Sequence, residues 1–225
     1  MPGREIPLVN EEIYHILNRG VASQPIFLDK WDYKRAIETM LYYQNIRQPQ
    51  KYSTFIIQAH IRREQILMDL KHKGEFLVEI IAYCFMPNHF HFLLKQIQDG
   101  GISKFLSNFS NSYTRYFNTK HKRLGPLFQG KFKSIRIETD EQLLHLSRYT
   151  HLNPYTSYVV KTLDQLLTYP FSSLPEYLNP QSSSFCHKKE VLSHFKKPSL
   201  YLEFLKDQAD YQRRLDEIKH LTLEA

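Results

Sequence analysis

Two histidines separated by one residue offer the first chemistry in this chain. His89 and His91 lie in the run Met86-Pro87-Asn88-His89-Phe90-His91-Phe92-Leu93-Leu94. The residues before it, Phe76–Phe85, are apolar apart from Glu79. The segment therefore reads as a strand, a tight turn at Met86-Pro87-Asn88 and a second strand. Side chains two apart on a strand point to the same side. His89, His91 and Leu93 thus share one face, and Phe90, Phe92 and Leu94 share the other. Paired neutral imidazoles on a rigid strand make half of a metal site. The same pair could also line a polar groove and bind nothing.

A second pair is Tyr149 and Asn153, in Arg148-Tyr149-Thr150-His151-Leu152-Asn153-Pro154. Residues four apart on a helix sit one turn from each other on one face. A phenol beside a cation is a usable nucleophile, because the charge favours phenolate over a phenol whose ordinary pKa is about 10. The Asn153 amide oxygen can complete a coordination shell begun by His89 and His91. Such a nitrogen-and-oxygen set suits Mg²⁺ or Mn²⁺, and Mn²⁺ tolerates imidazole better. Structural zinc usually requires cysteines. Only Cys84 is near in sequence, and the pattern leaves its side of the strand undetermined.

These residues need elements to hold them. Glu12–Gly20 reads as a strand ending at a glycine turn, with Ile13, His15 and Leu17 on one face and His15 structural. Asp29 can cap a helix from Lys30 to about Asn45. After the break at Gln48-Pro49-Gln50, a more polar helix is expected from about Ser53 into Leu70. A further helix spans Ile102 to about Lys120, and its stripe Phe105, Phe109, Tyr113, with Tyr116 and Phe117 a turn later, reads as core. Thr139-Asp140-Glu141-Gln142 has the form of a capping box. The helix it opens should carry Tyr149 and end near Asn153, because Pro154 disfavours helical geometry before it. Residues 176–190, with Ser182-Ser183-Ser184, look loop-like, and the tail from about Val191 has helical spacing. The expected organisation is a catalytic domain over residues 1–175 and a C-terminal linker and helical appendage over 176–225.

Composition narrows the partners. The chain has 225 residues and a formal charge of +7, a balance that favours a polyanion. Cations interleave with aromatics in one region: Arg115, Lys120, Lys122, Arg123, Phe128, Lys131, Phe132, Lys133 and Arg136. Gly125-Pro126 and Gly130 keep its middle from being helical, and Phe132–Glu138 reads as a strand. Such a mixture suits single-stranded nucleic acid, where bases stack and phosphates need cations; a solvated basic surface is the competing reading. Two cysteines give no disulfide framework. Neither a secretory signal nor a membrane-length apolar run is seen, so a cytoplasmic protein is expected.

The ordered set of motifs resembles the single-tyrosine transposases of the His-hydrophobe-His class, in the form of the REP-associated tyrosine transposases. The resemblance rests on Met86–Leu94 and Arg148–Pro154, with Tyr14–Gly20, Gly125–Ser134 and Tyr169-Pro170-Phe171-Ser172-Ser173, and covers about residues 12 to 175. It implies an α+β, ferredoxin-like fold: an antiparallel sheet with helices packed on one face, here with a C-terminal helical extension. It implies His89 and His91 as metal ligands, Tyr149 as nucleophile and Asn153 as third ligand, where the insertion-sequence branch has glutamine. It also implies cleavage and joining of single-stranded DNA through a 5′-phosphotyrosine, often at hairpin ends, and a homodimer. Tyr113 and Tyr116 are the decoy nucleophiles; Tyr149 is preferred because it alone has an amide partner one turn on. Two other readings compete. One is a hairpin-binding regulator that does not cut, and the other a metal phosphodiesterase using water, which leaves Tyr149 and Asn153 without a role.

Overall fold

The structure, a computed structural model, describes residues 7–179 and 185–213. The serines at 182–184, residues 1–6 and the tail beyond 213 lie outside the described residues. In chain order the elements are β1 (Ile13–Arg19), α1 (Lys30–Tyr43), α2 (Tyr52–Ile56), α3 (His60–Lys73), β2 (Val78–Met86), β3 (His89–Gln96), α4 (Gly101–Lys120), β4 (Lys133–Ile137), α5 (Asp140–Thr156), α6 (Leu163–Leu167), α7 (Leu174–Leu178), α8 (Lys189–Leu192) and α9 (Pro198–Asp207). Among the described residues the strands form one four-stranded sheet in the order β2-β3-β1-β4, each neighbour antiparallel. This is the ferredoxin-like β-α-β-β-α-β order.

Alternation along the strands builds two different faces. On one, Tyr14 and Ile16 of β1, Phe85 of β2 and Phe90, Phe92 and Leu94 of β3 pack against Ala36 and Met40 of α1 and Phe105, Phe109 and Tyr113 of α4. The aromatic stripe of α4 is therefore core. On the other face, Leu93 of β3 and Ala82 of β2 meet Leu143 and Leu152 of α5, together with Tyr177, Val191, Tyr201 and Leu205 from the C-terminal helices. Thus α1 and α4 cover one side of the sheet and α5 with the C-terminal extension covers the other, so the helices are not confined to one face as expected.

Local chemistry explains the ends. Asp29 accepts from the backbone N–H groups of Trp31 and Asp32 and so caps α1. Gln142 N–H donates to Thr139 Oγ1 at 3.2 Å, while Glu138 N–H donates to Gln142 Oε1 at 2.8 Å. That reciprocal pair fixes the start of α5.

Residues 176–190, expected as loop, include the end of α7 and the start of α8, and two expected helix bounds also fail. The polar helix expected from Ser53 to Leu70 is two helices, interrupted at Ile57-Gln58-Ala59. The break lets Tyr52 and Phe55 pack on Tyr42, with ring centroids 5.1 and 4.6 Å away, while α3 buries Ile66, Leu67 and Leu70. Nor does Pro154 end α5, which continues to Thr156. A proline so close to a helix end removes only one internal hydrogen bond, and Ser157 N–H still reaches Asn153 O at 3.0 Å.

Between Ile80 and Ala82 the β2–β3 register shifts by one residue. Such a bulge reverses the side each later residue faces. Ile80 packs in the aromatic core, yet so do Tyr83 and Phe85, while Cys84 and Met86 stand opposite His91 and His89. The bulge settles the side of Cys84: it shares the histidine face.

Candidate active site

His89 and His91 lie on β3, second in the sheet, with their side chains beneath α5. The rings are perpendicular, with centroids 4.9 Å apart. His91 is 2% exposed, and His89, next to the Pro87-Asn88 turn, is half-buried. β1 adds His15 and Arg19 to the same face, since Arg19 stands opposite His89 and His15 stands opposite Leu93. His15 reaches diagonally to His91: Nε2 and Nδ1 are 2.9 Å apart and the rings stack at 10°.

From above, α5 delivers Tyr149 and Asn153. The Tyr149 ring is edge-on to both imidazoles, with centroids 5.4 Å from His91 and 6.2 Å from His15. Asn153 is buried, with Nδ2 3.3 Å from His91 Nε2 and Oδ1 3.5 Å from Ser157 Oγ. The four residues selected from their types and spacing thus converge on one place.

Burial governs the charge state of these groups. It lowers His89 to about 4, helped by the Arg19 guanidinium and opposed by the contact with Asn153. Burial pushes His91 well below the usual imidazole range, with His89, His15 and Arg19 adding to the effect. His15 falls to about 4 through burial alone. All three rings are neutral near pH 7, the state in which imidazole offers a lone pair to a cation. Burial raises the Cys84 thiol instead, and its Sγ lies 3.8 Å from Met86 Sδ. It has the character of a core thiol, not a thiolate ligand.

Among the described residues no group of three or more His, Cys, Asp or Glu is placed to hold a metal ion. A site here draws on His89, His91 and an amide, so the donor set fits Mg²⁺ or Mn²⁺ completed by water and phosphate oxygens. Coordination by Asn153 uses Oδ1, which requires its carboxamide to turn over.

The decoy tyrosines lie on the opposite side of the sheet. Tyr113 is buried and donates to Ile26 O at 2.6 Å, and burial raises its pKa. Tyr116 bonds Asp32 at 3.1 Å. His151, two residues after Tyr149, is 0% exposed and bonded to Tyr201 Oη at 2.6 Å and Ser173 Oγ at 2.7 Å. It ties α5 to the C-terminal helices and to the Tyr169–Ser173 segment, which pairs with β2 through Ser173 N–H to Tyr83 O at 2.9 Å.

The seven basic candidates do not form one surface. Lys133 is exposed on β4 opposite Leu17, on the histidine face, and exposed Lys131 precedes it by two residues. Arg136 stands opposite Tyr14, on the other face, and pairs with Glu12 at 2.7 Å. Arg115 lines an open groove of about 970 Å³ between α1, α2 and α4. Lys120 is held by Asp29 at 2.8 Å and Asp32 at 2.6 Å. Lys122 and Arg123 follow α4, and Arg123 bonds Asn118 Oδ1 at 3.3 Å. A cation the sequence did not single out, exposed Arg19, stands opposite His89 and acts on both candidate ligands. Its parity with His15 along β1 was visible, but the pairing of β1 with β3 was not.

Comparison with known proteins bears on the family and the fold. Among solved structures, a REP-associated tyrosine transposase bound to a REP hairpin matches with a TM-score of 0.50 at 14% identity, over 79% of this chain and 86% of that one. At that identity the likeness establishes the fold. No curated protein matches the chain. Residues 39–153 match the sequence model of the family described as "Transposase IS200 like", 115 of 225 residues, a stretch that includes His89, His91, Tyr149 and Asn153. The chain therefore belongs to the IS200-like transposase family.

Proposed function

We propose that this transposase cuts and rejoins single-stranded DNA through a covalent bond to Tyr149, with a divalent cation held by His89, His91 and Asn153. The observation that carries the reading is the convergence of the Tyr149 ring on the His91 and His15 edges beside the Asn153 amide. Bound there, Mg²⁺ or Mn²⁺ supplies Lewis-acid polarisation of the scissile phosphate. Tyr149 Oη gives up its proton to solvent and attacks phosphorus. The Tyr149 O–P bond forms as the bond from phosphorus to the 3′ oxygen breaks, and that oxygen leaves as a hydroxyl after taking a proton. The product is a 5′-phosphotyrosine, which keeps the phosphodiester bond energy for a later attack by a 3′ hydroxyl. Exposed Arg19 and Lys133 flank the histidine face and supply positive charge for the strand. DNA ends that fold into hairpins are the proposed substrate, in keeping with the hairpin bound by the structural relative.

The test is a denaturing gel of a 3′-end-labelled hairpin oligonucleotide incubated with protein and Mn²⁺. Wild type should acquire label, EDTA should prevent it, and Tyr149→Phe should acquire none. An adduct on Tyr149→Phe refutes the nucleophile assignment. Hairpin binding indifferent to EDTA, with no adduct under any metal, identifies a regulator that does not cut. Light scattering checks the homodimer that belongs to the same reading.

A further inference from the structure

The two candidate ligands, His89 and His91, each use Nδ1 in a hydrogen bond. His89 Nδ1 is 2.6 Å from Asn88 Oδ1, a carbonyl oxygen that can only accept, so His89 Nδ1 carries the proton. A neutral imidazole has one N–H, which leaves the lone pair on His89 Nε2. For His91 the partner is itself a histidine, and the 2.9 Å contact between His91 Nδ1 and His15 Nε2 is compatible with either ring donating. The far side of His91 decides between them. Its Nε2 faces Asn153 Nδ2 at 3.3 Å, a group that only donates. With the Asn153 carboxamide in this orientation, before it turns over to offer Oδ1, His91 Nε2 holds the lone pair, His91 Nδ1 the proton, and His15 Nε2 accepts. The same polarity continues to Ser157, whose Oγ lies 3.5 Å from Asn153 Oδ1 and donates to it.

We propose that His15 and Asn88 are positioning residues that take the Nδ1 protons of His91 and His89, so that both Nε2 lone pairs are presented for a cation. The metal part of this inference rests on the proposed function; the tautomers themselves do not. A ring whose Nε2 is protonated cannot ligate through it, so the tautomer has to be correct before a cation arrives. A partner of this kind on the far nitrogen is how proteins commonly fix a ligating histidine. His15 suits the task because it is 8% exposed and stacked on its partner, which keeps water from competing. It lies 76 residues from His91 in sequence, and only the β1–β3 register brings the two together.

Long-range ¹H–¹⁵N spectra of the metal-free protein near pH 7 read each tautomer directly. Wild type should show His89 and His91 protonated at Nδ1; a His91 protonated at Nε2 overturns the assignment. His15→Phe keeps a ring but removes the acceptor. It should release His91 into a mixture of tautomers and weaken Mn²⁺ binding, followed by electron paramagnetic resonance, roughly 10- to 100-fold. His15→Gln, which restores an acceptor oxygen, should recover both. Unchanged tautomer and affinity in His15→Phe overturn the role of His15. For His89, Asn88→Ala should lose the tautomer and Asn88→Asp keep it; an unchanged His89 tautomer in Asn88→Ala overturns the role of Asn88. If wild type has the expected tautomers but binds no Mn²⁺, the ligand assignment falls and the tautomer assignment stands.

Discussion

The two faces of β3 differ in almost every physical respect. Phe90, Phe92 and Leu94 enter an aromatic core with Phe85, Phe105 and Phe109, where attraction is non-directional and scales with buried area. His91, one residue away from two of them, enters a layer with His15 and Asn153 where each contact needs a named donor and a named acceptor. The first face is built for stability. The second buries polar groups whose arrangement is justified by what they can do together.

The contrast can be broken by measurement, starting with the largest effect. Phe92→Ala should cost ~3–5 kcal/mol in chemical denaturation, the usual range for emptying a buried aromatic site. A much smaller loss means that the aromatic face can collapse and is not close-packed.

Acid should act through the buried histidines instead. Burial holds His151 at about 3, while the unfolded chain binds its proton near 6.5. Because the folded pKa is the lower one, stability is complete above pH 6.5 and is lost as pH falls towards 3. Between pH 7 and pH 5 His151 alone should remove ~2 kcal/mol, and His15 and His89, both at about 4, push the same way. A flat stability profile over that interval means that these rings are open to water.

Asn153→Ala should weaken Mn²⁺ binding about 10- to 100-fold, with the adduct yield falling alongside. Retained affinity in isothermal titration removes Asn153 from the ligand set. The smallest effect is expected at Arg136→Ala, which breaks a pair with Glu12 whose side chains are 37% and 34% exposed. Such pairs contribute about 0–1 kcal/mol, so a larger shift in the denaturation midpoint points to a role beyond the ion pair.

The site was legible to an unequal degree. His89 and His91 were readable because strand alternation is a property of neighbouring residues. Tyr149 and Asn153 were readable because a helix places every fourth residue together. The placement of Arg19 and the contact of His15 with His91 were not, because strand pairing depends on contacts between residues far apart in the chain. Cys84 could not be assigned a side, because a one-residue bulge at Ile81 leaves no mark in an apolar run. The basic region misled in a related way. It is continuous in sequence, yet Lys133 faces the histidines while Lys120 is neutralised by Asp29 and Asp32 on the α4 side.

By itself the sequence determined the local periodicities: which residues of β3 face together, where α1 and α5 begin, and that a phenol and a carboxamide share one helical face. These follow from backbone geometry and capping chemistry within a few residues. Only the tertiary structure decided that α5 lies over the histidine face, that β1 enters beside β3 in the register that sets His15 against His91, and that Tyr201 from α9 bonds His151 of α5. Those choices are made by burial and hydrogen-bond satisfaction across the whole sheet, where no short stretch of chain contains both partners.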